Sequence, residues 1–151
     1  MIKLKKILYP TDFSESSLEA LKYAVSFARE YKARLVLMHV VNEQMFSEGL
    51  SLPRLAAPEA LGEELAAEAE RQMRVLIPAD VRAGLDLEQV ILHGMPFLEI
   101  IRYAKANEID LIVIGTHGRS GMEHIIFGST AEKVVRKASC PVLSVKPAAL
   151  S

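Results

Sequence analysis

Asp110-Leu111-Ile112-Val113-Ile114-Gly115-Thr116-His117-Gly118, answered nine residues later by Gly128-Ser129-Thr130, decides how this chain is read. The apolar run reads as a buried strand over 109–114, because a strand covered on both faces loses the polar alternation of a half-exposed one. A helix pattern starts directly after Gly-Ser-Thr. Glycine lets the backbone approach a neighbour closely, and the first N–H groups of a helix have no internal partner. A glycine-bearing turn at a strand end, closed by Gly-Ser-Thr at a helix start, therefore suits an anion. The expected anion is a phosphate group of a nucleotide.

Working outward, strands alternate with helices along the whole chain. The first strand is Lys6–Pro10, ended by its proline, and a polar turn at 11–14 follows. A helix over Glu15–Tyr31 places Leu18, Leu21, Val25 and Ala28 at helical spacing, with Ser14 as N-cap or Ser16 with Glu19 as an alternative capping box. The second strand is Arg34–Val41. Residues 42–58, with Gly49, Pro53 and Pro58, break all periodicity and read either as a lid over a site or as a variable surface loop. A helix over 59–77 is stopped by Pro78. A third strand over 87–93 leads through Gly94-Met95-Pro96 into a helix whose apolar face is Phe97, Ile100, Ile101 and Ala104. Pro96 suits the first helical position and Asn107 a left-handed helix end. The last helix, 130–138, is expected to turn Ala131, Val134, Val135 and Ala138 inward, and the last strand is 141–145.

This alternation predicts an α/β fold: a Rossmann-like five-stranded parallel sheet of order 3-2-1-4-5 with helices on both faces. Strands 1 and 4 would then lie side by side, and the helices leaving them in opposite directions open a crevice at their carboxyl ends. The two polar, turn-rich segments, 10–14 and 115–121, follow those two strands, so the fold and the site support each other. A chain of 151 residues fits one domain spanning 1–151 with a real core. Net charge is −1, which gives no reason to expect nucleic-acid binding. No apolar run approaches a membrane span. The N-terminus leads straight into a strand and leaves no room for a signal peptide, and the single cysteine, Cys140, fits a reducing compartment. A cytoplasmic protein is the expectation.

Two neighbouring motifs are excluded. A Walker loop needs lysine directly before its Ser/Thr, where this chain has Gly128; the dinucleotide fingerprint belongs after strand 1, where it has Pro10-Thr11-Asp12-Phe13. Plainer roles compete at several positions. Ser129 with Glu132, and Asp12 with Glu15, have capping-box spacing. His39, His93 and His117 would fall at one edge of the sheet, but no close ligand spacing or acidic partner supports a metal. Cys140 before the last strand reads as a small, partly buried residue.

Three stretches together resemble the universal stress protein family, an adenine nucleotide α-hydrolase-like group. They are Ile7-Leu8-Tyr9-Pro10-Thr11-Asp12-Phe13-Ser14 with Ser17 and Ala20-Leu21, Gly94-Met95-Pro96, and Gly115-x-x-Gly118-x9-Gly128-Ser129, the last matching the ATP-binding branch without gaps. The ending Cys140-Pro141-Val142-Leu143-Ser144-Val145 also fits, while Tyr9 stands where valine is common in the family. The resemblance implies that Asp12 contacts the adenosine, with Pro10 and Thr11 shaping that wall. Val40 or Val41 would offer backbone hydrogen bonds to the adenine edge, and Gly94 would leave space beside the nucleoside. Gly115, Gly118, Arg119, Gly128, Ser129 and Thr130 would hold ribose and phosphates. ATP accompanied by Mg²⁺ or Mn²⁺ is the implied ligand, and a homodimer paired through the last strand the implied assembly. The leading expectation is a nucleotide-responsive regulatory or binding module in stress response, more a binder than an enzyme. A slow ATP hydrolase or adenylyl-transferring enzyme is the first rival, although the Ser-Gly-Gly-x-Asp-Ser loop of the related pyrophosphatases is replaced here. A ligand-free dimeric interaction protein is the second.

Overall fold

The computed structural model describes residues 1–42, 58–117 and 128–147. In chain order the elements are β1 (Lys6–Pro10), α1 (Glu15–Tyr31), β2 (Arg34–Val41), α2 (Pro58–Leu76), the short α3 (Ala79–Arg82), β3 (Asp86–His93), α4 (Pro96–Ala106), β4 (Leu111–Gly115), α5 (Ser129–Lys137) and β5 (Val142–Val145). The strands form one sheet of order β3-β2-β1-β4-β5, and every neighbouring pair is parallel. This is the expected order, with β1 at the centre and β4 beside it.

Side-chain alternation along the strands splits the core into two layers. Ile7 and Tyr9 of β1 with Leu35 and Leu37 of β2 meet α1, Met73 of α2 and Ile77 just past its end. Leu8, Val36, Met38 and Val40 point the other way, onto Ile100 and Ala104 of α4 and Ala131 and Val134 of α5. Burying each large aliphatic side chain contributes about 1.5–3 kcal/mol. A sheet covered on both sides has both sets of side chains buried, which explains the unbroken apolar runs of β1, β2 and β4.

The helix ends are set by local chemistry. Ser14 caps α1, its Oγ accepting from the Ser17 N–H at 3.3 Å. Asp12 is therefore not the cap that its spacing to Glu15 suggested; its Oδ1 accepts from the Ser14 N–H at 3.0 Å and shapes the turn before the helix. Glu19 pairs with Lys22 rather than closing a capping box with Ser16. Pro96 takes the first position of α4, as expected. At the other end Asn107 has φ −108°, and the left-handed residue is Glu108 at φ 52°. The Asn107 side-chain amide donates to the Tyr103 carbonyl at 3.0 Å, so the reversal moves one residue on. On α5, Val135 is 45% exposed instead of inward. This short helix rests on α4 and β5 over a narrow stripe, and Ala131, Val134 and Ala138 fill it.

Tyr9, the departure from the family pattern, is fully buried on the α1 side. Its hydroxyl donates to the Ser17 carbonyl at 2.6 Å and lies 2.8 Å from Ser17 Oγ, which also bonds Thr11 Oγ1. Burial pushes the phenol pKa up, against the lowering effect of the Ser17 and Thr11 hydrogen bonds. Tyr9→Phe keeps the ring but leaves buried oxygens short of a partner. It is expected to cost about 1–2 kcal/mol, read as a lower denaturant midpoint at unchanged slope.

Candidate functional site

The crevice lies where β1 and β4 part company, because α1 covers one face of the sheet and α5 the other. It holds a cavity of about 560 Å³, within the usual range for a small-molecule site.

Its first wall is the end of β1. The Thr11 N–H donates to the Met38 carbonyl at 2.8 Å, continuing the sheet by one residue. Thr11 Oγ1 accepts from the Phe13 N–H at 2.9 Å, and Phe13 takes a left-handed φ of 64°. Such a conformation in a bulky residue is uncommon and is held only by its surroundings. Here those include the His39 ring, 4.9 Å away between centroids. His39 Nδ1 lies 2.8 Å from the Thr11 carbonyl. A carbonyl only accepts, so Nδ1 carries the proton.

The second wall is the end of β2, where Val40 and Val41 meet the cavity. The Val41 carbonyl accepts from the Gly94 N–H at 3.0 Å, linking it to the turn after β3. Gly94 has φ 142°, and a Cβ there would come within 3.0–3.3 Å of the Glu99 side chain. It lies outside the cavity lining; its place beside Val41 is that of a turn residue.

The third wall joins β4 to α5. A Cβ on Gly115 would stand 2.7 Å from the Ser16 carbonyl carbon and 2.8 Å from its oxygen, so the first glycine of the motif lets β4 end against the start of α1. Thr116 is 1% exposed; its N–H donates to the Val145 carbonyl at 2.9 Å, and its carbonyl accepts from the Gly128 N–H at 2.5 Å. The His117 N–H donates to Ser16 Oγ at 3.1 Å, and Thr116 Oγ1 lies 2.8 Å from His117 Nδ1. These bonds bring the two glycine-bearing parts of the motif together across the intervening segment.

Gly128 is the N-cap of α5, with φ −67° and ψ 156° and no side-chain cap bond. Ser129 is thus the first helical residue and not a capping box partner; Glu132 instead pairs with Arg136 at 3.2 Å. The box fails because the chain enters the helix one residue earlier than the Ser129–Glu132 spacing requires. The helix ladder starts at Glu132 N–H to Gly128 carbonyl, 3.0 Å. By helix geometry the N–H groups of Ser129, Thr130 and Ala131 have no carbonyl of their own helix to bond, and the positive end of the helix dipole lies there.

The cavity therefore brings together Pro10, Thr11, Asp12, Val40, Val41, Gly115, Gly128, Ser129 and Thr130. Gly118, Arg119 and the 43–57 part of the expected lid or loop lie outside the described residues. His39 and His117 line the cavity and His93 does not. Among the described residues no three potential metal ligands converge. Cys140 is partly buried, and its thiol pKa is raised by burial and by Asp110.

Sequence reasoning missed a whole wall. Leu65, Glu68, Ala69 and Gln72 of α2 line the cavity. Their i, i+3, i+4, i+7 spacing marks one helix face, but nothing in the spacing says what that face meets. Phe13, Ser17, Met38 and Thr116 were also missed as lining residues.

The comparisons with known proteins agree with this architecture. The model of the universal stress protein family matches residues 3–146. Universal stress protein MJ0531 of Methanocaldococcus jannaschii is 38% identical over 142 residues, covering 94% of this chain and 82% of that protein. The solved structure of hypothetical protein MJ0577 superposes with a TM-score of 0.81 at 33% identity, covering 96% of this chain and 97% of that one. Two further universal stress protein structures share the fold at 23% identity. One is a complex with cAMP (TM-score 0.63; 97% and 100% coverage) and the other, from Archaeoglobus fulgidus, a complex with dAMP (TM-score 0.64; 97% and 100%).

Proposed function

The chain belongs to the universal stress protein family, and from that premise we propose that it binds an adenine nucleotide, ATP with Mg²⁺ or Mn²⁺, as a nucleotide-responsive regulatory module. The observation that carries this is the start of α5, where the N-cap is Gly128 and supplies no capping side chain, opening on a cavity whose far side is the end of β2. The N–H groups of Ser129, Thr130 and Ala131 take the phosphates, with Gly118 and Arg119 assigned to them by the motif. Asp12, beside Pro10 and Thr11, takes the adenosine, and the backbone of Val40 or Val41 the adenine edge. Gly94 keeps the turn beside the nucleoside slim. The cAMP and dAMP complexes support an adenine nucleotide as the ligand class.

The charge balance supports a metal companion. The described lining residues include Asp12 and Glu68 but no lysine or arginine. A divalent ion carried in with a polyphosphate would offset part of its charge beside Asp12 and Glu68. A helix start stabilises phosphate charge in the ground state as well as in a transition state, so any hydrolysis is slow. β5 is one edge of the sheet, and its Val142, Leu143 and Ser144 are half-buried. In the proposed homodimer it pairs with its symmetry mate in the cytoplasm.

Calorimetric titration of nucleotide-free protein with Mg-ATP tests the reading. One saturable site per chain is expected, with turnover too slow to matter during the titration. A folded protein that takes up no adenine nucleotide overturns it.

A further inference from the structure

We propose that Gln72, oriented by Glu68, reads the exocyclic amine of the base and makes the site selective for adenine over 6-oxopurines. The inference deepens the nucleotide reading and rests on it. α2 is set against β2 and β3, on the side of the cavity away from α5. β2 lies two strands from β4, about 10 Å at ordinary strand spacing. With the phosphates at α5, the base end of a nucleotide therefore reaches the α2 wall.

Leu65 and Ala69 line that wall beside Gln72 and Glu68. The polar pair is organised. Glu68 Oε2 accepts from Arg71 Nε at 3.0 Å and Nη2 at 2.6 Å, and Glu68 Oε1 accepts from Gln72 Nε2 at 3.1 Å. These bonds lower the Glu68 pKa, Arg71 first and Gln72 next, and keep the carboxylate ionised. An ionised carboxylate only accepts, so the Gln72 amide must turn its NH₂ toward Glu68. The group left for a ligand is the Gln72 carbonyl oxygen, an acceptor. It complements an amine at purine position 6 and opposes a carbonyl there. Glu68 is exposed and Gln72 half-buried, so the acceptor disfavours the wrong base once the nucleotide covers it and two acceptors face each other without water.

The test compares Mg-ATP with Mg-ITP, which carries a carbonyl in place of the amine, by calorimetry on the full chain. The wild type should bind ATP about tenfold tighter. Gln72→Leu removes the acceptor at similar volume and should bring the ratio close to one. Glu68→Gln lets the Gln72 amide turn round and should shrink the ratio as well, although no lining side chain has changed size. The ATP-to-dATP ratio should not move in either variant. An ATP-to-ITP ratio unchanged in both variants overturns the inference while leaving nucleotide binding intact, as does a shift confined to the dATP ratio. Binding of neither nucleotide by folded wild type overturns the parent reading and this one with it. Circular dichroism and thermal melts confirm that each variant is folded.

Discussion

Gly115→Ala is expected to lower stability by about 3 kcal/mol and the melting temperature by roughly 10 °C, with no nucleotide present. The added methyl would sit 2.7–2.8 Å from the Ser16 carbonyl group and 2.7 Å from its Oγ. Two of those three atoms are backbone in the first turn of α1, whose position is fixed by the Ser14 cap and by Ser16 Oγ, which accepts from the His117 N–H just past β4 and donates to the Val145 carbonyl of β5. The strand end must then move away from α1, dragging Thr116 and its bonds to Val145 and Gly128. A glycine needed only for phosphate approach would give the opposite result: unchanged melting of the free protein and weaker nucleotide binding. Differential scanning calorimetry without ligand separates the two.

Ser129→Asp should split stability from binding. Ser129 is exposed at the first position of α5, where a negative charge favours the helix dipole by about 0.3–1 kcal/mol. The melting temperature should hold or rise slightly. The same carboxylate stands where the phosphates are placed, and like charges at contact distance should weaken Mg-ATP by on the order of ten- to a hundredfold. Ser129→Ala is the milder control, losing only a hydroxyl. Undiminished Mg-ATP affinity in the aspartate variant would mean that the phosphates lie elsewhere.

Strand positions were legible because burial on both faces writes itself as continuous apolar sequence: β1 and β2 begin and end where the sequence placed them. Order was legible because right-handed crossovers leave few layouts, and the polar turns after β1 and β4 marked the crevice. What was not legible depends on contacts across long sequence separations. Gly115 was read as a ligand residue, yet the atoms that require it to be glycine belong to Ser16 on another element. The α2 wall was hidden because a helix face shows its spacing but not its neighbour, and the aperiodic stretch before it gave no path for placing it. The left-handed Phe13 was hidden because its conformation is fixed jointly by Thr11 and His39. Capping-box spacing misled at Asp12, at Ser16 and at Ser129. At Asp12 the cap is Ser14, and at Ser129 it is Gly128, so the spacing was present without the geometry.

The measurement that tests the central claim most directly is a backbone amide NMR titration of the labelled protein with Mg-ATP. The account predicts the largest shifts at Ser129, Thr130 and Ala131, with a second group at Asp12, Val40 and Val41 on the opposite walls of the crevice. Shifts confined to β5 and the outer face of α1, or none at saturating nucleotide, would contradict it.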